Sequence, residues 1–177
     1  DYSDYGDVTP RYEAVRSLLR SRGIEIPFGE PTDDPALDTV CGLGNRKNDV
    51  FTAVLDADGV IAYPGSVAFL DALQARGIKV AVVSSSKNAR PVLTAAGLID
   101  RFEIIVDGVV AAERGIPGKP NPDTYLDAAA QLGVPASRAI VVEDATSGVA
   151  AGRAGDFGLV LGVDRGAGRE DLLANGA

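Results

Sequence analysis

Three polar clusters in this chain have the residue types that handle a phosphate. Ser84, Ser85 and Ser86 run into Lys87 and Asn88; Gly118, Lys119 and Pro120 precede Asn121, Pro122 and Asp123; Glu143 and Asp144 precede Ala145, Thr146, Ser147 and Gly148. Serine hydroxyls at a helix start, beside a lysine, suit an anion because the first N–H groups of a helix lack partners. The same serines equally suit plain helix capping. Lys119, on a backbone stiffened by two prolines, reads either as a loop lysine before a capped helix or as a fixed charge able to offset a phosphate and a carboxylate together. Adjacent carboxylates are usually solvated. A pair delivered by a buried strand also suits Mg²⁺, which takes one or two carboxylates plus phosphate and water.

What must position these clusters is an alternation of short apolar runs with helices. The runs 79–83, 103–106, 139–142 and 159–162 predict strands, and helices are expected to begin near Ser66, Lys87, Asn121 and Thr146. Continuous apolar strands alternating with helices indicate a doubly wound parallel sheet covered on both faces, an α/β fold. In such sheets ligands bind beyond the carboxyl ends of the strands, which is where all three clusters fall. Before this region, Thr9 and Pro10 start a short helix with Val15, Leu18 and Leu19 on one face and Gly23 as its stop. Residues 24–45 read as a connection, and Val50, Phe51, Val54 and Leu55 predict a second helix over about 46–57.

Composition narrows the chemistry. With 46% apolar residues among 177, the chain supports a real core. No histidine is present, which removes Ser-His-Asp catalysis, Cys-His catalysis and the usual zinc sites from this stretch. Seventeen Lys plus Arg against 25 Asp plus Glu give a net charge of -8, so nucleic acid is repelled. Cys41 is the only cysteine, so no internal disulfide forms. No apolar run approaches the roughly 18 residues that cross a bilayer, and the composition fits a cytoplasmic protein with no membrane partner. The oligomeric state leaves no mark in the sequence.

In their order and spacing, the run from Ile78 through Val83 into Ser84-Ser85-Ser86-Lys87-Asn88, then Gly118-Lys119-Pro120, then Val142-Glu143-Asp144 resemble three successive motifs of one family. These are the second, third and fourth motifs of the haloacid dehalogenase superfamily, in its β-phosphoglucomutase-like branch. The likeness runs from about residue 5 to about residue 170. It implies a Rossmann-like core with a small helical cap, the cap over residues 1–62 and the core over 63–177, both partial. It also implies that Ser84 binds the transferring phosphoryl group, that Lys119 stabilises its charge, and that Glu143 and Asp144 hold Mg²⁺. Ser85, Ser86, Lys87 and Asn88 then contact substrate. In the cap, Arg11 resembles the arginine that grips the second phosphate, and Arg46-Lys47-Asn48 resembles the segment whose lysine, here Lys47, reaches the closed site. The family often has glycine three residues before that arginine, where this chain has Val8.

The first motif of the superfamily is a strand ending in Asp-x-Asp-Gly, whose first aspartate attacks phosphorus. Asp56-Ala57-Asp58-Gly59 matches the letters but follows a helical stripe, so Asp56 and Asp58 are expected to be solvated residues at a helix end. The nucleophile is expected on a strand before Asp1, and a further strand after Ala177. The resemblance implies Mg²⁺-dependent transfer on a small phosphorylated sugar, β-glucose 1-phosphate to glucose 6-phosphate through an aspartyl-phosphate, in the full-length protein. The rival expectations are a sugar-phosphate phosphatase on the same scaffold and a non-catalytic phosphosugar-binding module fused to another carbohydrate enzyme. The stretch alone is expected to be inactive.

Overall fold

The computed structural model describes residues 11–177. Val8, Thr9 and Pro10, named above as a family departure and a helix start, lie outside the described residues.

Two helices come first. α1 (Arg11–Arg20) ends in a left-handed Gly23, with the Gly23 N–H donating to Arg20 O and the Ile24 N–H to Leu19 O. α2 (Val40–Asp58) begins earlier than its apolar stripe predicts. Thr39 caps it by accepting from the Gly42 N–H at 2.9 Å, so residues 40–45 are helix rather than connection. Two glycines in that first stretch serve contact. A Cβ at Gly44 would stand 2.8 Å from the Tyr12 ring of α1, so glycine is what allows the two helices to approach. The expected stripe does not face a core either: Val50, Phe51 and Val54 are exposed, and α2 instead buries Val40, Cys41, Gly42 and Gly44.

The rest alternates as expected. α3 (Pro64–Gln74) leads to β1 (Ala81–Val83), α4 (Ala89–Ala95) and β2 (Ile104–Val106). α5 (Gly108–Arg114) and α6 (Asp123–Gln131) follow, then β3 (Ile140–Glu143), α7 (Thr146–Ala154), β4 (Leu159–Gly162) and α8 (Arg169–Ala174). Every strand pairs in parallel, β1 with β2 and β3 with β4. The two pairs form separate ladders among the described residues. They are joined by side chains: Val83 of β1 packs against a cluster of Tyr125, Val141, Val149, Ala151, Val160 and Leu172 drawn from α6, β3, α7, β4 and α8.

Coverage on both faces is not what the β3–β4 pair has. Val141 and Val160 are buried toward α7, while Ile140, Val142, Leu159 and Leu161 are exposed on the other side. Ile140 stands opposite Leu159 and Val142 opposite Leu161, so the four form one apolar patch. No helix among the described residues is long and apolar enough to cross a membrane.

Candidate active site

β1 and β3 deliver two polar constellations to one end of the fold. Val83 ends β1 against the cluster that holds Tyr125, and the Tyr125 hydroxyl donates to Glu143, the last residue of β3, at 2.9 Å.

The first constellation is the turn after β1. The Ser84 N–H donates to Val106 O at 3.0 Å, extending the β1–β2 pairing by one residue. Ser84 Oγ then accepts from the Ser86 N–H and Ser86 Oγ from the Asn88 N–H, both at 3.1 Å. Each hydroxyl is thus fixed through a lone pair while its own proton is left to donate. Lys87 is exposed. Asn88, at the start of α4, makes no side-chain cap bond; its Nδ2 donates to Asn48 Oδ1 at 2.9 Å. Arg11 Nη2 donates to the same oxygen at 2.6 Å. The structure therefore joins Arg11 and Asn88, two residues the sequence singles out, through Asn48. Lys47 lies exposed beside Asn48 on α2.

A backstop holds this turn. Asp107, the buried residue after β2, accepts from the Val109 and Val110 N–H groups at 3.0 and 2.9 Å and pairs with Arg90 at 3.4 Å. The Gly108 N–H donates to Ser86 O at 3.2 Å. A Cβ on Gly108 would stand 2.5 Å from Ser85 O.

The second constellation centres on Glu143. Lys119 pairs with its Oε1, the two side chains being 8% and 10% exposed, and the ammonium also lies 4.8 Å from the centre of the Tyr125 ring. Oε2 accepts from the Asp144 N–H at 2.7 Å and the Ala145 N–H at 3.3 Å. Burial opposes the Glu143 charge, yet the Lys119 ammonium and the N–H donors hold its carboxyl below the ordinary range. Burial and the adjacent Glu143 push the Tyr125 hydroxyl far up, so it stays protonated and donates. Gly148 completes the cradle, since a Cβ there would overlap the Glu143 carboxylate.

Asp144 is different. Its side chain is 47% exposed and its Oδ2 lies 3.7 Å from Arg165. Burial and the neighbouring Glu143 carboxylate push its pKa up, while Arg165 works the other way. Arg165 also donates to Ser66 Oγ at 2.8 Å and stacks 4.1 Å from the centre of the Tyr63 ring, tying the loop after β4 to the start of α3. As a metal set the pair is uneven: Asp144 offers a hard oxygen to a cation, whereas both Glu143 oxygens have donors. No group of three or more candidate ligands occurs among the described residues.

Asp56 and Asp58 lie exposed in the last turn of α2, which Gly59 ends at φ 65° with its N–H donating to Leu55 O. Neither stands at a strand end. The residues that motif reading passes over are Tyr125, Asp107, Gly108 and Arg165, while Asn48 is named only within the Arg46-Lys47-Asn48 segment and given no role of its own. Only Asp107 and Gly108 had a local signal, an Asp-Gly following a strand.

A family model described as haloacid dehalogenase-like hydrolase matches residues 9–156. The β-phosphoglucomutases of Mycobacterium bovis and Mycobacterium tuberculosis are 54% identical over 166 residues, which is 93% of this chain and 63% of theirs. An uncharacterized glycosyl hydrolase of Mycobacterium tuberculosis is 39% identical over 165 residues, 93% of this chain but 12% of that protein. Among solved structures, a β-phosphoglucomutase from Clostridium difficile superimposes with a TM-score of 0.70 at 23% identity, over 94% of this chain and 76% of that one. The chain thus spans less than two thirds of the length of the curated β-phosphoglucomutases it matches.

Proposed function

The chain belongs to the haloacid dehalogenase-like hydrolase family, and on that premise we propose that it carries most of a phosphosugar mutase site, of the β-phosphoglucomutase kind. The observation that carries this reading is that the turn after β1 and the Glu143 centre bring Arg11, Ser84, Asn88 and Lys119, all donors suited to anions, to one end of the fold. A substrate that exchanges a phosphoryl group between two positions needs one anchor for the phosphate that stays and another for the group that moves. Arg11 and Asn88, brought together across α1 and α4, suit the first role. Ser84, with its hydroxyl proton free to donate, and Lys119, held in place by Glu143 and Tyr125, suit the second. Residues 1–62 act in this reading as a cap over the core of 63–177, with Lys47 and Lys87 adding positive charge around the substrate.

Phosphoryl transfer also needs an in-line nucleophile. We place it on a further strand, outside residues 1–177, entering between β1 and β3. Two considerations support that placement. Asp56 and Asp58 stand on a helix, and the β1–β2 and β3–β4 pairs share no ladder among the described residues. An unpaired strand edge inside a fold is costly unless a partner fills it. Mg²⁺ bound at Asp144, with Glu143 behind it, would neutralise charge on the phosphoryl oxygens. The chain's own part is to bind and orient: Ser84 donates to a phosphoryl oxygen, and Lys119 spreads its charge between that oxygen and Glu143.

The test is to supply the intact protein with β-glucose 1-phosphate. Formation of glucose 6-phosphate supports the mutase. Release of free phosphate without glucose 6-phosphate rejects it in favour of a phosphatase. Binding without turnover leaves a phosphosugar-binding module.

A further inference from the structure

Asn48 Oδ1 accepts two hydrogen bonds, from Arg11 Nη2 at 2.6 Å and Asn88 Nδ2 at 2.9 Å. A guanidinium can only donate, so the Asn48 atom facing it is the carbonyl oxygen. Arg11 and Asn48 belong to the α1–α2 pair, while Asn88 opens α4 beside the serine turn. The Asn48–Asn88 bond ties residues 11–62 to the rest of the fold. No ion pair neutralises Arg11 among the described residues. Its acceptor among them is a neutral amide.

A neutral oxygen is a weak choice for a guanidinium, which bonds roughly twice as strongly to a charged acceptor. Two donors converging on one oxygen are also the arrangement that a phosphate oxygen demands. The Asn48 carbonyl therefore stands where an anionic oxygen is better suited, and it does so at the joint between the two parts of the chain.

We propose that Asn48 is a latch: its carbonyl ties the α1–α2 pair to the serine turn in the ligand-free protein, and a phosphate oxygen of the substrate displaces it from Arg11 and Asn88. The bound phosphate then becomes the bridge that Asn48 was, and Asn48 sets the affinity of this corner for a phosphate monoester. The identity of the anion rests on the mutase reading above. The competition between amide and anion is the new element.

The intact protein is compared with N48A, N48D and R11A, measuring glucose 6-phosphate binding by calorimetry and ligand-free dimensions by solution scattering. Asn48 is half-buried on a helix, where alanine is well tolerated. Removing a competitor worth about one net hydrogen bond tightens binding about five- to tenfold in N48A. The ligand-free N48A particle becomes larger. N48D gives Arg11 a charged acceptor of the same shape, so binding weakens about tenfold or more. Unchanged or weaker binding by N48A, with R11A weakened, overturns the latch and leaves the phosphosugar reading standing. Unchanged binding by R11A overturns both.

Discussion

The Lys119 ammonium and the Glu143 carboxylate form an ion pair that is 8% and 10% exposed, with the Tyr125 ring beneath the ammonium and its hydroxyl on the same carboxylate oxygen. Removing one partner of a buried pair leaves an uncompensated charge. K119M is therefore expected to lower unfolding stability by about 3–5 kcal/mol. It also raises the Glu143 pKa, because burial is then no longer opposed by the ammonium. Denaturant unfolding and carbonyl-detected titration of Glu143 measure the two effects. A stable variant with Glu143 still depressed would place the depression on the Asp144 and Ala145 N–H groups.

The pH dependence of stability follows from the same pair. The folded pKa of Glu143 lies below its ordinary 4.5, so its contribution is complete above pH 4.5 and is lost as pH falls through the lowered folded value. Asp144 has the opposite sign: its folded pKa is raised above 3.8, so its contribution is present below that value and fades as pH rises through the folded one. About half exposed, Asp144 carries the smaller effect. Unfolding in EDTA is expected to show stability falling below pH 4.5, with a flatter acid limb in E143Q. An identical acid limb in E143Q would assign the fall to other carboxylates.

Gly148 sits in the first turn of α7, where alanine ordinarily gains up to about 1 kcal/mol over glycine. A Cβ there overlaps the Glu143 carboxylate, which its four bonds hold in place. G148A is therefore expected to destabilise by about 1–3 kcal/mol. E143A is the control, since with the carboxylate gone the same substitution becomes neutral or stabilising. A double-mutant cycle by chemical denaturation reads the difference, and additivity within about 0.5 kcal/mol would count against the contact.

The strand and helix alternation was legible because apolar runs bounded by glycine and serine mark parallel strands locally. β1, β2, β3 and β4 fall within a residue or two of those runs. The α2 start was not legible, because Gly42 and Gly44 look like breakers until Tyr12 is seen lying on one of them. α5 escaped for a related reason: it is seven residues between an Asp107 cap and a left-handed Gly115, too short to show a period. At the site, the serines, lysine and carboxylates were visible by type and order. Asn48 was visible only as part of the Arg46-Lys47-Asn48 segment and Tyr125 not at all, since an amide on a helix and an aromatic near a core carry no role of their own until the fold puts them beside Arg11 and Glu143.

Gly108 offers a test of how tightly the serine turn must be held. Its N–H donates to Ser86 O at 3.2 Å, and a Cβ would meet Ser85 O at 2.5 Å and the Lys87 N at 3.1 Å. These neighbours are backbone, so the turn itself has to move. Asp107 cannot yield instead, being buried and bound to Val109, Val110 and Arg90. If Ser84 and Asn88 act on substrate, a shift near 1 Å costs up to about a hundredfold in rate. G108A in the intact protein is expected to lower kcat/KM for the phosphosugar at least tenfold while leaving the circular dichroism spectrum unchanged. V109A, at an exposed neighbour, is expected to behave as native. Native kinetics for G108A would mean that the turn tolerates displacement, and that the serine hydroxyls are not what positions the phosphoryl group.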